Sequence, residues 1–553
     1  MKKLTIIASA LVLITILASA STRSKKNEIS RNLDIFNSLY KELQTFYVDS
    51  IDAEKSIDIA IGAMLNDIDP YTEYIPAKAQ ESFRTMTTGE YGGIGSYIME
   101  RNGNTYISEP YEGSPAAEAG LRPGDRIIMI DQDSTVGWNS SKVSDKLKGQ
   151  QGTKLKVTVV RPYVEDSVKS FEIVRRKIQI PSVPFYGIVK DNIGYVALSS
   201  FTDKSYNEVR DAVTDLIRNK GAREIVLDLR GNGGGLLESA VQILGLFLPK
   251  GTPVLTTRGK GALTEKTYKT TVSPIDTKIP LAVLIDGSTA SSAEIVSGAL
   301  QDLDRAVIVG NRSFGKGLVQ STRQLPYDGL LKVTIAKYYI PSGRLIQAID
   351  YSNRNPDGSV GRIPDSLTSV FKTAGGREVR DGGGITPDIT VEYPDVTRLT
   401  YNVVRDHWAF DFANKYASEH ASIPSPEEFV ITDTIYSEFK NFIDPARFNY
   451  DKVCETALEQ LRQIATTEGY MNDSVKAKFD GLAKELRHDL KRDLDTNRDA
   501  LSPYLASEII KRYYYDRGDI IYNLREDATL DSAATVLSSA TKYKELLSPK
   551  AGK

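Results

Sequence analysis

The run Leu281-Ala282-Val283-Leu284-Ile285 stops at Asp286-Gly287, and a second apolar pattern with a longer period begins near Ser291. A short continuous apolar run closed by glycine reads as a buried strand. Ala293, Ile295, Val296 and Leu300 then recur at helical spacing, so the next element is a helix with one apolar side. Such strand-like and helical runs alternate from 181 to 395, which implies an α/β core with helices packed on a sheet. Periodicity alone does not separate one α/β fold from another.

The turn itself carries chemistry. A serine between strand and helix exposes its hydroxyl, and the N–H of Ser292 is then free to stabilise an oxyanion. The ordinary alternative for Ser291 is a helix cap, the common duty of Ser, Thr and Asp at helix starts. All three histidines, His407, His420 and His488, fall in the C-terminal part, far from Ser291 in sequence. A serine nucleophile here needs another base, and Lys316 in Phe314-Gly315-Lys316-Gly317 can serve if it is held neutral. Free lysine titrates near ~10.4, and burial among apolar groups lowers that value. Phe314, Leu318 and Val319 can supply the pocket, and Gln320 can hold the amine without adding charge. Asp302 suits a different duty, because a carboxylate against Lys316 would favour the ammonium form. Orienting neighbouring groups is the role that fits it.

The strand-like Glu224–Arg230 segment leads into Gly231-Asn232-Gly233-Gly234-Gly235. Consecutive glycines let backbone N–H groups come close to a ligand oxygen. The run lacks the Lys-Ser/Thr ending of a nucleotide loop, so it reads as an oxyanion site or platform for a substrate strand, with Gly234 and Ser292 as oxyanion donors. Taken together, these segments resemble the C-terminal processing peptidase (tail-specific protease) family of serine peptidases. The Ser-Thr-Ala-Ser-Ser-Ala-Glu stretch falls on that family's nucleophile motif and places the nucleophile at Ser291, with Ser288 and Ser292 flanking it. Phe-Gly-Lys-Gly places the base at Lys316, the glutamine four residues on at Gln320, and the acidic residue of some members at Asp302. Leu227–Gly235, Asp69-Pro70-Tyr71-Thr72, Tyr338–Gln347 and Gly382–Asp388 are similar to further family segments. The resemblance covers about residues 30 to 395. It implies a crotonase/ClpP-like peptidase core and hydrolysis of peptide bonds by a serine–lysine pair, without cofactor.

A second unit interrupts the first. Tyr91-Gly92-Gly93-Ile94-Gly95, the strand-like Ser96–Met99, Gly113–Ile127 and the β-rich Leu155–Arg161 are similar to a PDZ domain. Such domains take a peptide C-terminus as an added strand, and backbone N–H groups of a glycine-containing loop bind its carboxylate. Gly93, Ile94 and Gly95 match that loop. Protein substrates with accessible C-terminal tails are the partners this implies.

At the N-terminus, Lys2-Lys3 precede the apolar run Leu4–Ala18, and Ala18-Ser19-Ala20 has the form of a signal-peptidase site. Residues 1–20 are therefore expected to be a signal peptide or an inner-membrane anchor, placing the protein in the periplasm or cell envelope. The single cysteine, Cys454, excludes an internal disulfide framework and reads as a small core residue of a helix. With 553 residues, 41% of them hydrophobic, the chain can bury several cores. A net charge of −2 gives no reason to invoke nucleic acid, and no CxxC or HExxH pattern suggests a metal.

The expected organisation follows. After the leader comes a helical segment at 27–88, with Leu33, Ile35, Phe36, Leu39, Tyr40 and Leu43 at helical spacing. The PDZ domain spans 89–180, the α/β peptidase core 181–398, and a mostly helical C-terminal domain 399–553. Leu482, Leu486, Leu490 and Leu494 form a four-residue repeat in the last, near Ile509, Ile510 and Tyr513-Tyr514-Tyr515. Bracing of the core, homo-oligomer contact or adaptor binding are the roles open to it. Two rival readings are a non-catalytic PDZ scaffold with a degenerate core and an acyl-CoA hydratase-type enzyme. The first does not explain Ser291, Lys316, Gln320 and the glycine run together. The second does not explain export, the PDZ-like insertion or a serine–lysine pair.

Overall fold

The computed structural model describes residues 27–549 except 191, 262–264 and 356–357. The expected leader lies outside the described residues, and among them no helix is long and apolar enough to cross a membrane.

The 281–285 run is buried because it lies inside a six-stranded sheet. The strand order is Phe185–Val189, Ile193–Ala197, Glu224–Asp228, Leu281–Ile285, Val307–Gly310 and Ile389–Thr390. The first two strands form an antiparallel hairpin, and every later pairing is parallel. Parallel neighbours need crossovers, and the helices Ser205–Arg218, Leu237–Leu244 and Ser292–Asp302 provide three of them. Alternate residues of a strand face opposite sides of a sheet. Ile225, Leu227, Leu281, Val283, Ile285 and Ile308 pack against the crossover helices. Val226, Ala282, Leu284, Val307 and Val309 point the other way and are covered by Leu530, Ala533, Val536 and Leu537 of the C-terminal helix Ala528–Leu537. With both faces covered, the strand has no polar alternation, and this is why it reads as one apolar run.

The inserted domain is entered and left through a ribbon. Glu90–Gly93 pairs antiparallel with Arg176–Gln179, Glu90 opposite Gln179. Between them lies a sheet in the order Ser96–Arg101, Asn104–Pro110, Arg126–Ile130, Lys154–Val160, Val168–Val174, with Asp133–Ser134 added beside Arg126–Ile130. Its core is built on Ile107, Ile127, Ile130, Val143, Val157 and Val159. Among the described strands Ser96–Arg101 pairs only with Asn104–Pro110, so it is an edge strand, and the helix Ser140–Leu147 lies against it.

The C-terminal region divides its work. Its first helices and the long helix Arg498–Asn523 enclose Val403, Trp408, Phe412, Phe439, Leu501 and Ile509. Its last helices close the core sheet, so bracing is one role it performs. The PDZ-like domain rests on the bundle. Arg101 Nη1 reaches both carboxylate oxygens of Asp411 at 2.8 Å, and the Asp516 N–H donates to Glu109 Oε1 at 2.9 Å. A side chain on Gly124 would run into the amide of Asn414.

Two expectations fail in this region. The leucine repeat is not one helix face: Asp473–Glu485 buries none of its residues, Leu482 and Leu486 are exposed, and a new helix Leu490–Thr496 starts behind an Asp489 cap. Only Leu494 of the four is buried. Cys454 is exposed in the first turn of Val453–Thr467, a helix that buries only Leu458. The tyrosines, by contrast, serve the bundle itself: Tyr513 and Tyr514 donate to the carbonyls of His420 and Ile423.

Among the described residues, 27–77 together with 320–334 form a separate compact unit. It contains a helix at 27–46, the helix Ala53–Asn66, and the strand Glu73–Ile75 paired with Leu330–Lys332. Leu33, Ile35, Phe36, Leu39 and Leu43 are helical as expected but exposed. In the Asp-Pro-Tyr-Thr motif, the buried Asp69 accepts the N–H groups of Tyr71 and Thr72, making the turn into the strand.

Candidate active site

Three loops leave the carboxyl ends of the parallel strands: 229–236, 286–291 and 311–317. In open α/β sheets this edge is where sites are built. Asp286 fixes the middle loop by accepting the N–H groups of Ser288 and Thr289 at 2.9 and 3.0 Å. It also takes the N–H of Gly231 at 3.1 Å, which laces the glycine run to the same turn.

Ser291 sits at the start of its helix with φ 57° and ψ −117°. A β-carbon at positive φ costs on the order of 1–3 kcal/mol and persists only where the surroundings impose it. The imposing group is Glu294. It is completely buried, one turn into the helix, and accepts four hydrogen bonds. Its donors are the N–H of Ser291 at 2.8 Å, the hydroxyl of Ser313 at 2.5 Å, and the N–H groups of Gly315 and Lys316 at 2.7 and 2.8 Å. One carboxylate thus holds both the serine turn and the lysine loop. Burial pushes its pKa up to about 7, against the pull of these four donors. Phe314 adds a direct stitch, its N–H donating to Thr289 O at 2.9 Å. Tyr338, 1% exposed, donates its hydroxyl to Lys316 O at 2.6 Å and lies 3.1 Å from Ser291 O.

The three neighbouring serines are not equivalent. Ser288 is exposed on the turn, and Ser292 is buried with its hydroxyl donating to Gly235 O at 2.9 Å. Ser291 alone of the three occupies the strained position. Ser292 is the first residue of the helix, where an N–H has no intrahelical acceptor.

Gly234 comes close to the site but not in the expected way. Its N–H donates to Asn232 Oδ1 at 2.8 Å and is therefore already used. What it supplies is room: a β-carbon there would lie 2.8 Å from Ser291 Cβ and 2.9 Å from Ser292 N, at φ +98°. Asp302 is placed elsewhere. It ends the 11-residue helix that Ser291 begins, and at about 1.5 Å per residue the two lie roughly 16 Å apart. There it pairs with Arg344 at 2.8 Å, both side chains deeply buried, and accepts the N–H of Ser342 at 2.9 Å. Gln320 belongs to the unit containing residues 320–334, where its amide donates to Thr334 Oγ1 at 3.2 Å.

In the inserted domain, Gly93, Ile94 and Gly95 link the ribbon to the edge strand. Ile94 is buried in that domain's core, its carbonyl takes the N–H of Ala116 at 2.9 Å, and Gly95 turns at φ +75° against Ser114. An open strand edge, a flanking helix and a glycine turn at its start are what β-strand addition requires.

Sequence reasoning left Glu294 and Tyr338 without a role. The Ser-x-x-Glu spacing of a capping box was a readable sign of the first. The hydroxyl of Tyr338 had none, since both its acceptors are backbone atoms remote in sequence.

Comparison with known proteins agrees with this architecture. The profile "Peptidase family S41" matches residues 192–360, "PDZ domain" 106–161, and "Probable PDZ-protease, C-terminal helical domain" 399–537. A carboxy-terminal-processing protease of Bartonella bacilliformis is 34% identical over 371 residues, covering 66% of this chain and 84% of its own. The carboxy-terminal processing protease CtpA of Bacillus subtilis is 32% identical over 345 residues, covering 62% and 72%. Among solved structures, a photosystem II D1 C-terminal processing protease is 25% identical, covering 64% and 85%, with a TM-score of 0.36. With its peptidase core, inserted PDZ domain and helical C-terminal domain, the chain belongs to the carboxy-terminal processing protease family of S41 serine peptidases.

Proposed function

We propose that the protein is an exported serine endopeptidase that selects substrates by their C-terminal tails and cleaves them with Ser291 as nucleophile and Lys316 as base. Ser291 Oγ attacks the peptide carbonyl while the neutral Lys316 amine takes its proton. The oxyanion of the tetrahedral intermediate is held by the Ser292 N–H at the positive end of the helix. Lys316 returns the proton to the departing amine, and water, deprotonated by the same lysine, releases the acyl group from the serine. The observation that carries the reading is the single Glu294 carboxylate bonded to the backbone of both Ser291 and Lys316. Asp302, paired with Arg344 at the other end of the helix, supports the structure of that helix and takes no part in proton transfer. The edge strand Ser96–Arg101 receives the substrate tail, its carboxylate lying at Gly93–Gly95. Export rests on the leader-like Met1–Ala20 sequence.

The test is hydrolysis of an unfolded protein with a free C-terminus. Ser291→Ala should be inactive, folded and able to bind a tail peptide, whereas Ser288→Ala should keep most activity. Lys316→Arg should be inactive although charge is kept, because a guanidinium does not deprotonate in this range. Substantial turnover by Lys316→Arg would require a different base. Equal affinity for free-acid and amidated tail peptides would remove Gly93–Gly95 as the carboxylate site.

A further inference from the structure

We infer that Asp527, in the C-terminal domain, is a positioning residue for the active site, acting through Arg230 on the glycine loop beside Ser291. The inference rests on the serine–lysine reading given above. Arg230 is the first residue beyond the Glu224–Asp228 strand and its flanking Leu229, and it opens the loop that ends at Gly235. Its guanidinium is held from two sides. Nη1 and Nη2 donate to Asp527 Oδ1 and Oδ2 at 3.0 and 2.6 Å, while Nε and Nη2 reach Asp228 at 3.0 and 2.5 Å. Asp228 is itself fixed by the Tyr195 hydroxyl at 2.6 Å and accepts the Arg230 N–H at 2.9 Å. All three charged side chains are largely withdrawn from solvent. Two-pronged pairing of a planar guanidinium fixes direction as well as distance, which a single ion contact does not.

From Arg230 the constraint runs a short way. Gly231 is tied to Asp286, and the buried Asn232 donates to Leu198 O at 2.6 Å and accepts the Ala290 N–H at 2.9 Å. Gly234 then lies against Ser291 Cβ and Ser292 N with no space for a β-carbon. A loop so close-packed at one end transmits a shift at its other end directly to the oxyanion donor. Asp527 is in turn fixed as the cap of Ala528–Leu537, accepting the N–H groups of Thr529 and Leu530 at 3.0 Å. The C-terminal domain therefore reaches the catalytic edge through the sheet, from the face opposite the Ser291 helix.

The experiment uses the full-length protein, with kcat and KM measured on a tailed substrate and tail-peptide affinity measured separately. Asp527→Asn keeps an acceptor for the helix cap but removes the charge that holds Arg230. It should lower kcat by about 10- to 100-fold with KM and tail-peptide affinity unchanged, the loss expected of misplaced transition-state donors. Asp531→Asn, one turn along the same helix, breaks the surface pair with Lys190 and should leave kcat as it is. Arg230→Lys keeps charge without the fork and should repeat the kcat loss, which covers the case where Asp527→Asn does not fold. Wild-type kcat in either folded variant, with Ser291→Ala inactive, would overturn the inference alone. An equal loss in Asp531→Asn would overturn it in favour of general docking of the helix. Turnover by Ser291→Ala would bring down the underlying reading and the inference with it.

Discussion

Glu294 imposes two opposite pH dependences at one residue. Its pKa rises from 4.5 to about 7 on folding because the carboxyl is buried. The folded state then binds the proton more tightly than the unfolded chain between those values. Stability should fall as pH rises through that window and level off above it. Activity should run the other way. All four groups facing the carboxylate are donors in the structure, so only the ionised form satisfies them together, and turnover should be lost as pH falls through about 7. Glu294→Gln should abolish this part of the pH dependence in both thermal unfolding and kcat/KM, and should lower kcat by about tenfold or more. Any limb due to Lys316 deprotonation would remain. Tyr338→Phe should reduce stability by about 1 kcal/mol in denaturant unfolding and lower kcat, since one hydroxyl serves carbonyls of both Lys316 and Ser291. At this scale the sequence was legible where the pattern is local. Ser291 and Lys316 stand out because glycine and small residues surround them. The partners of Glu294 beyond its own helix come from a loop some twenty residues on, and no spacing rule announces them. The pairing of Asp302 with Arg344 is hidden for the same reason, because the two are brought together only by the fold.

Between elements, the contact of the PDZ domain with the long C-terminal helix is electrostatically poised. Burial and the Asp516 carboxylate push Glu109 up to about 8. Lys511 and Arg512 from the same helix face it with opposite charge, and Tyr97 lies on the neighbouring strand. Docking therefore favours the protonated form of Glu109, and raising the pH from the ordinary carboxylate value of 4.5 toward about 8 should progressively weaken docking. Glu109→Gln should flatten that dependence, measured as amide exchange protection of Asn104–Pro110 across the same pH window. Helices and strands were legible in kind because their periods differ, and the core strand was legible because burial on both faces left it wholly apolar. Helix ends were less so. The Leu482–Leu494 repeat suggested one continuous face, yet the helix carrying Leu482 ends at Leu486 and Asp489 caps a new one, which breaks it. Cap residues are also common on helix surfaces, and the repeat concealed them. Cys454 shows the related limit, since a helical pattern does not reveal which side of a helix finds a neighbour.

For the whole molecule, the last helices are part of the peptidase core despite lying far beyond it in sequence. Ending the chain before Ala528 would uncover Val226, Ala282, Leu284, Val307 and Val309 on the central strands. Each exposed Val or Leu side chain loses on the order of 1.5–3 kcal/mol, so several together are comparable with the whole stability of an ordinary domain. The truncated protein should be insoluble or should lose its cooperative thermal transition. The PDZ domain stands in a different relation to the core. Its chain departs and returns through neighbouring strands, with Glu90 directly opposite Gln179. The two cut ends would need only a tight hairpin turn to rejoin, with no rearrangement of the catalytic edge. The inserted domain is thus built as an exchangeable cartridge: a lineage, or an engineer, can substitute another module at this ribbon without rebuilding the strands and loops of the core.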